Sequence, residues 1–336
     1  MKKFLCKSAA LFLLTAMCIY LLGAAYQRTN TCRNLERANE TERFSKVPQD
    51  IDIAAVGSSH GMLAFLYAPE DARLFNFCLS AQIPQYDLRM LQEYGDRLSP
   101  DAVVLVTVSY MTPFWTEPEE TFLWKQNRYY SVLSPQNIIE PDWAKWVLGR
   151  FSPVLTTDFG TVVRAFVKPP ELEPLQNEAS GHLTFDPADI PKGQDQARTN
   201  HISSLISPVF PESSPEAVEA LKGILDLCQE RGWQAVLVTP PYLEAYNQVF
   251  SQWSEQFYPR FYQYVRELSR EYNVPYLDYS HDQEFAQQYS FYKDIDHLNL
   301  DGAMALDTRL YADLKVLLGD RFPFSNRLSP TPFAAN

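Results

Sequence analysis

Two short stretches hold side chains that could do chemistry together. The first is Gly57-Ser58-Ser59-His60, and the second is Asp294-Ile295-Asp296-His297-Leu298-Asn299-Leu300-Asp301-Gly302. A hydroxyl nucleophile needs a base within hydrogen-bond reach, and the base needs a carboxylate to orient it. Ser59 stands where the chain turns from an apolar run into a helical pattern, so its hydroxyl can project from a sheet edge. Asp294 and His297 are three apart, the spacing that shares one face of a helical turn, whereas Asp296 and His297 diverge. The predicted triad is Ser59 as nucleophile, His297 as base and Asp294 as orienting carboxylate. The Ser59 amide, at a helix start, is an oxyanion donor. His60 adjoins Ser59 and should diverge from it, so it is expected to line the pocket, with the role of base as the lesser alternative. Asn299 and Asp301 most simply cap the final helix; His201, within the insertion, reads as a surface or packing histidine with substrate contact as the lesser alternative, and His182 and His281 read as solvated.

The elements that must bring these groups together follow an alternating pattern. Ile51–Val56, Leu74–Cys78, Ala102–Val108, Ala235–Thr239 and Val274–Asp278 read as short buried strands. Helical periodicity covers Tyr86–Leu98, Pro215–Glu230, Phe257–Tyr272 and Asp301–Leu318. Strands alternating with helices imply a parallel sheet with right-handed crossovers. The fold class expected is α/β, a flavodoxin-like three-layer sandwich with a five-stranded sheet in the order 2-1-3-4-5. Ligands in such folds bind at the carboxyl ends of the strands. Ser109, Tyr110, Pro241 and Tyr242 follow strands three and four and are candidates for the pocket wall. The loop after strand five must fold back over the sheet edge to reach Ser59, and Ser280–Lys293 is long enough to do so.

Residues 111–214 break the alternation and read as an inserted subdomain. It is helical around Trp143–Arg150 and irregular over Lys168–Asn200. It holds Trp115, Trp124, Tyr129, Tyr130, Trp143, Trp146 and Phe151. These could form a private mini-core, a lid beside the catalytic edge, or both. The full division expected is an anchor over 1–26, a polar stalk over 27–48, the α/β domain with its insertion over 49–320, and a tail over 321–336.

Ser8–Tyr26 carries no charge and follows Lys2, Lys3 and Lys7. Nineteen helical residues span about 28 Å, the thickness of a bilayer core. The basic flank predicts a cytoplasmic N-terminus and an extracytoplasmic main domain. Gly23-Ala24-Ala25 keeps cleavage and secretion open as the alternative, while Met17 argues against lipid modification at Cys18. Beyond the anchor lie only Cys32, Cys78 and Cys228, an odd number that does not suggest a disulfide framework. There is no CxxC or HExxH, so no metal is expected. The formal charge of −12 disfavours nucleic acid as a partner. Hydrophobic residues at 46 % supply a full core and exclude a disordered chain. The glycine spacing at Gly57–Gly61 is wrong for a phosphate loop.

On Gly57-Ser58-Ser59-His60 and Asp294-x-x-His297 the chain resembles the SGNH/GDSL hydrolase superfamily. It is most similar to the membrane-anchored extracytoplasmic branch, with the D-alanine transfer protein of teichoic acid synthesis and partners of membrane acyltransferases in polysaccharide O-acetylation. The resemblance spans residues 44–110 and 215–318. It implies Ser59 as nucleophile, Ser80 or Ala81 as a second oxyanion amide, no cofactor, an acylated glycan or acyl donor as substrate, and an integral membrane acyltransferase as a partner. Ser58 replaces the usual aspartate, and the family's Gly-x-Asn-Asp block is absent, with Val108-Ser109-Tyr110-Met111 in its place. Ser109, Tyr110 or Gln82 is then the candidate source of the third donor, and Gln82 a pocket-lining candidate. A lost donor costs roughly 3 kcal/mol of transition-state stabilisation, which favours a specialised acyltransferase over a fast general esterase. The reading from the other class is a non-catalytic anchored accessory protein that binds glycan or a membrane acyltransferase.

Overall fold

The computed structural model describes every residue except 115–118, 176–180, 203–212, 252–254 and 332–336, and describes no side chain at 119–125 or 202. Trp115 and the Trp124 side chain therefore lie outside the described residues. The chain divides into two compact units: Met1–Ser45 with Glu120–Gln176, and Lys46–Glu119 with Asn177–Asn336. The expected insertion is thus shared. Its first half compacts with the N-terminal segment and its second half with the sheet.

The second unit holds the sheet. Strands β1 (Ile51–Val56), β2 (Leu74–Asn76), β3 (Leu98–Thr107), β4 (Gln234–Thr239) and β5 (Tyr276–Asp278) run parallel in the order β2-β1-β3-β4-β5. This is the expected 2-1-3-4-5 arrangement. Ile53–Val56, Ala102–Val106 and Val236–Val238 are all buried. Their continuous apolar runs, without alternation, are what a strand covered on both faces requires. The register pairs Val56 with Val106, Thr107 with Val238 and Thr239 with Asp278. The residues just beyond, from Gly57 to Tyr279, therefore leave the sheet along one edge.

Local chemistry sets the helix ends. Ser214 Oγ accepts the Ala217 N–H at the start of helix Pro215–Arg231, and Gly232 ends it at φ 78°. This helix packs against Pro84–Tyr94. The tail expected to lie outside the domain instead pairs back, Leu328–Pro330 running antiparallel to Tyr67–Pro69. A helix at Ile190–Ala197 replaces the irregular stretch expected there.

The first unit is helical. Lys2–Tyr26 is one continuous helix, long and apolar enough to cross a membrane. The expected stalk is ordered: helix Asn30–Ala38 is capped by Thr29, and Arg33 and Arg37 both bind Glu42. Its polar composition concealed Cys32, which is buried with Tyr26, Val162 and Ala165. Helices Trp143–Phe151 and Phe159–Val167 complete the described part of this unit together with Glu119–Val132. The mini-core expected of the aromatics is only partial. Tyr129 is buried, while Trp143 and Phe151 are exposed.

Candidate active site

Ser59 opens the six-residue helix Ser59–Ala64 directly after β1. Gly57 makes the turn with φ 140°, and a Cβ there would lie 2.4 Å from Thr107 Cβ. Only glycine combines that backbone with that proximity. Gly61 serves the same approach one turn on, because its Cβ would meet Thr107 Oγ1 and, at 2.8 Å, Cys78 Sγ. Buried Asn76, at the end of β2, donates to Gly61 O (2.9 Å), Met62 O (3.3 Å) and Phe65 O (3.0 Å) and accepts the Cys78 N–H. One side chain thus supplements the bonding of the carbonyls at the helix end, of which Gly61 O also accepts the Phe65 N–H at 3.2 Å.

The histidine arrives from the far end of the chain. Asp307, buried in helix Leu300–Leu318, accepts the N–H groups of Leu66 (3.0 Å) and Tyr67 (2.8 Å). The final helix is therefore pinned to the chain that leaves the Ser59 helix. Asn299 caps it through Gly302 N–H and also donates to Leu183 O and Ser290 O. Just before it, Tyr292 and Leu298 form an antiparallel bridge, and Lys293 N–H donates to His297 O. Inside this loop Asp294 Oδ1 accepts the backbone N–H groups of His297 (2.8 Å) and Asp296 (3.2 Å). The three-residue spacing works through a carboxylate-capped turn rather than a helical one.

The result is a continuous relay. His297 Nε2 lies 2.9 Å from Ser59 Oγ, and His297 Nδ1 lies 3.0 and 3.1 Å from the Asp294 carboxylate oxygens. The three residues named from the sequence are brought together across 238 positions of chain. This arrangement is what removal of a hydroxyl proton requires.

A second layer of charge lies beneath. Asp296 Oδ1 stands 3.4 Å from His297 Nδ1, and Asp296 Oδ2 stands 3.1 Å from His60 Nε2. The His60 ring stacks on His297 at 4.7 Å and 9°. His201, half-buried, lies 3.9 Å from Asp296 and shares a hydrogen bond with Tyr246. Sequence reasoning missed Asp296 and His201. Neighbouring residues diverge on a helix, but this loop is not helical, so Asp296 and His297 face each other. The surviving signal was the pair of acids before His297. His201 had none, since nothing local ties residue 201 to residue 296.

Burial opposes charge on all three histidines. It lowers His60, and it lowers His201 to about 4. At His297 burial is outweighed by the two carboxylates Asp294 and Asp296, which raise it to about 10. Burial acts to raise Asp296, but the His297 charge and the hydrogen bonds from His297 and His60 hold its carboxyl well below the ordinary range. Neutral His60 then donates Nε2–H to Asp296, which leaves its buried Nδ1 as an acceptor without a partner among the described residues. His60, Asp296 and His297 also place three ligand-capable atoms within 4.8 Å of one another. A cation bound at His297 Nδ1 would displace Asp294, so a metal and the relay exclude each other.

The remaining candidates divide. Ala81 adopts φ 51° in the turn after β2, with Gln82 N–H donating to Leu79 O. That left-handed backbone, which glycine takes without strain, singles out Ala81 rather than Ser80 as the altered glycine position. Pro241 is buried in the loop after β4. Tyr242, also buried, meets His60 edge-on at 5.2 Å. The other three are corrections. Gln82 Nε2 is engaged with Asp87 (2.7 Å), Phe77 O and Gly57 O, so it braces the loop and has no free donor for substrate. Ser109 closes a turn on Thr112 through both its N–H and its hydroxyl. Tyr110 is fully buried among Tyr242, Tyr246, Phe250, Phe257 and Phe261, with its hydroxyl donated to Asn247. The two loops that could replace the missing third block therefore put their polar groups into the scaffold.

Residues 197–315 match the family model for the DltD protein. The matched part contains His201, Asp294, Asp296 and His297 and stops short of Ser59. Among solved structures, a Bacteroides fragilis protein described as a "putative acylhydrolase" aligns at 9 % identity and a TM-score of 0.37, over 85 % of this chain and 97 % of its own. No curated protein matches the sequence. Residues 197–315 thus resemble the D-alanine transfer protein family, and the sheet unit that holds them is α/β with a five-stranded parallel sheet.

Proposed function

We propose that this protein is a serine acyl-ester enzyme, working through Ser59, His297 and Asp294. The observation that carries this reading is the 2.9 Å approach of His297 Nε2 to Ser59 Oγ, backed by Asp294 on Nδ1. Ser59 Oγ attacks an acyl carbonyl as neutral His297 takes its proton. The tetrahedral oxyanion is held by the Ser59 and Ala81 amides, and collapse expels the leaving alcohol or thiol with the proton from His297. Water or a glycan hydroxyl then repeats the sequence on the acyl-serine, giving hydrolysis or transfer. Asp294 keeps the ring oriented and stabilises the imidazolium.

With Lys2–Tyr26 as an anchor, the sheet unit works outside the cytoplasmic membrane on acyl groups of an envelope glycan. An integral membrane acyltransferase is then the natural neighbour as donor or acceptor. This part rests on the family likeness. Gln82, Ser109 and Tyr110 supply no third oxyanion donor, which supports a slow, specialised transferase over a fast esterase.

The test is reaction of the full chain in detergent with a fluorophosphonate probe. Wild type should label while Ser59→Ala and His297→Ala do not. Absence of labelling in the wild type across the alkaline range would make the protein a non-catalytic binder. Radiolabelled acyl donor then separates transfer to glycan from release into water.

A further inference from the structure

Helix Phe159–Val167 is mostly apolar, with Thr161 and Arg164 as its polar side chains. Val162 and Ala165 are buried against Tyr26 and Cys32, while Phe159 (81 % exposed), Val163, Phe166 and Val167 (79 % exposed) form a second stripe with no cover. That stripe follows the i, i+4, i+7, i+8 spacing of one helix face. The preceding helix adds exposed Trp143, Val147, Leu148 and Phe151, and Leu155 stands exposed between the two. Soluble monomers rarely expose apolar faces of this extent, which mark membrane or protein contact sites.

The position of this hairpin relative to the N-terminal helix says what covers it. Ser152, at the bend, donates its hydroxyl to Ile19 O at 2.8 Å. A Cβ on Gly23 would collide with Ser152 Oγ, and the Tyr20 and Phe151 rings lie 6.1 Å apart. Ile19 is seven residues before the helix end at Tyr26, about 10 Å along the axis. If Lys2–Tyr26 spans a bilayer, the bend of the hairpin is already beneath the headgroups. Charge agrees. Between 143 and 168 the chain carries Lys145, Arg150, Arg164 and Lys168 against one acid, Asp158, within a protein of net charge −12. Basic side chains beside an apolar face, with Trp143 and Trp146 in the same helix, fit an anionic lipid interface.

We propose that the Trp143–Val167 hairpin is a monotopic membrane-embedded element, seated in the outer leaflet against the N-terminal helix, with anionic phospholipid as its occupant. The protein then holds the bilayer by a spanning helix and a half-inserted hairpin. The inference is independent of the Ser59 chemistry, and it requires that Lys2–Tyr26 is retained as an anchor.

The test is spin labelling of the full chain in phosphatidylcholine vesicles containing phosphatidylglycerol. Cys6 and Cys18 are changed to serine, and the other three cysteines are buried. Single cysteines are introduced at Phe159, Val163 and Val167, at Leu13 as the spanning-helix reference, and at exposed Asp320 as the aqueous reference. Collision with oxygen and with a water-soluble nickel chelate is measured for each. The expected result is a high oxygen-to-nickel ratio at all three hairpin sites, in the range of Leu13. Nickel access equal to that at Asp320 overturns the inference while leaving the anchor intact if Leu13 stays in lipid. Exclusion of both reagents also overturns it, because another protein chain then covers the face. An aqueous Leu13 label removes the anchor and the inference together.

Discussion

The substitution Asp296→Asn tests the site most sharply, because it separates the charge beneath His297 from the triad itself. His297 must be neutral to accept the Ser59 proton. With Asp294 at 3.0 Å and Asp296 at 3.4 Å it is raised to about 10, so the protonated ring predominates at pH 7.5. The rate of Ser59 modification by a fluorophosphonate should therefore climb about tenfold per pH unit through the neutral range and level off near the His297 pKa. His60 and His201 are held neutral in this window, since burial lowers both. Asp296→Asn removes one of the two carboxylates and keeps an acceptor for His60 Nε2. A charge this close shifts a pKa by about 1–3 units. The acid limb should move down by that much, and labelling at pH 7.5 should rise by about tenfold or more. The alkaline plateau should fall, because the imidazolium of the transition state loses a counter-charge. The assay is the labelling rate of wild type and variant from pH 6 to 10. A limb that does not move, or moves upward, refutes the assignment of Asp296 as the second charge on His297.

Three further outcomes follow from the same geometry. Gly61→Ala forces a Cβ onto Thr107 Oγ1 and Cys78 Sγ, and overpacking of this kind costs about 1–3 kcal/mol. Its melting temperature should fall with loss of Ser59 labelling, and adding Thr107→Ala should cost less than the sum of the two single changes. Asp87 is buried beside Gln82 and the Gly57 amide, and burial raises its carboxyl from 3.8 to about 7. The folded state therefore binds more protons than the unfolded one between these values, so stability falls as pH rises from 3.8 toward 7. Asp87→Asn should flatten that dependence and gain up to about 4 kcal/mol above pH 7, read from urea unfolding at several pH values. Finally, Asp307→Ala leaves the buried Leu66 and Tyr67 amides without an acceptor, at about 1–3 kcal/mol, and should slow labelling by loosening the join between the two halves of the triad.

The sheet was legible because each strand is a nearly unbroken apolar run, and parallel strands covered on both faces leave just that trace. Ser59 was legible from its place at the end of such a run, and His297 from the carboxylate three residues before it. The stalk was misread because nine helical residues with a polar surface hide a single inward cysteine, Cys32. A contact with residues 162 and 165 is not a local property. The donors assigned to Gln82, Ser109 and Tyr110 failed for a related reason. Position at the carboxyl edge is readable in sequence, but whether a polar atom there faces substrate or scaffold depends on which partner it meets. Gln82 meets Asp87, Ser109 meets Thr112, and Tyr110 meets Asn247 across 137 residues.

Those same engagements bear on how the site could turn over. The loops after β2 and β3 are held by buried polar bonds, and the final helix is held by Asp307, so the triad is built on rigid supports. Against that scaffold the charge is set unusually: one imidazole faces two carboxylates, while its neighbours His60 and His201 stay neutral. A resting imidazolium at His297 donates Nε2–H to Ser59 Oγ and lowers its reactivity toward water-borne esters near neutral pH. If Ser59 and His297 work as proposed, the site stays quiet near neutral pH until the field at Asp294 changes, and the Asp294 side chain is 40 % exposed while Asp296 is at 10 %. A cationic group arriving beside Asp294 would weaken its hold on Nδ1, lower the His297 pKa and release the base. An acyl ester bearing a free ammonium is a probe of that kind. The chain should then be acylated faster by an aminoacyl ester than by the matching acyl ester at pH 7.5, with the advantage vanishing near pH 10. Equal rates at both pH values would show that the field at Asp294 plays no part in turning the base on.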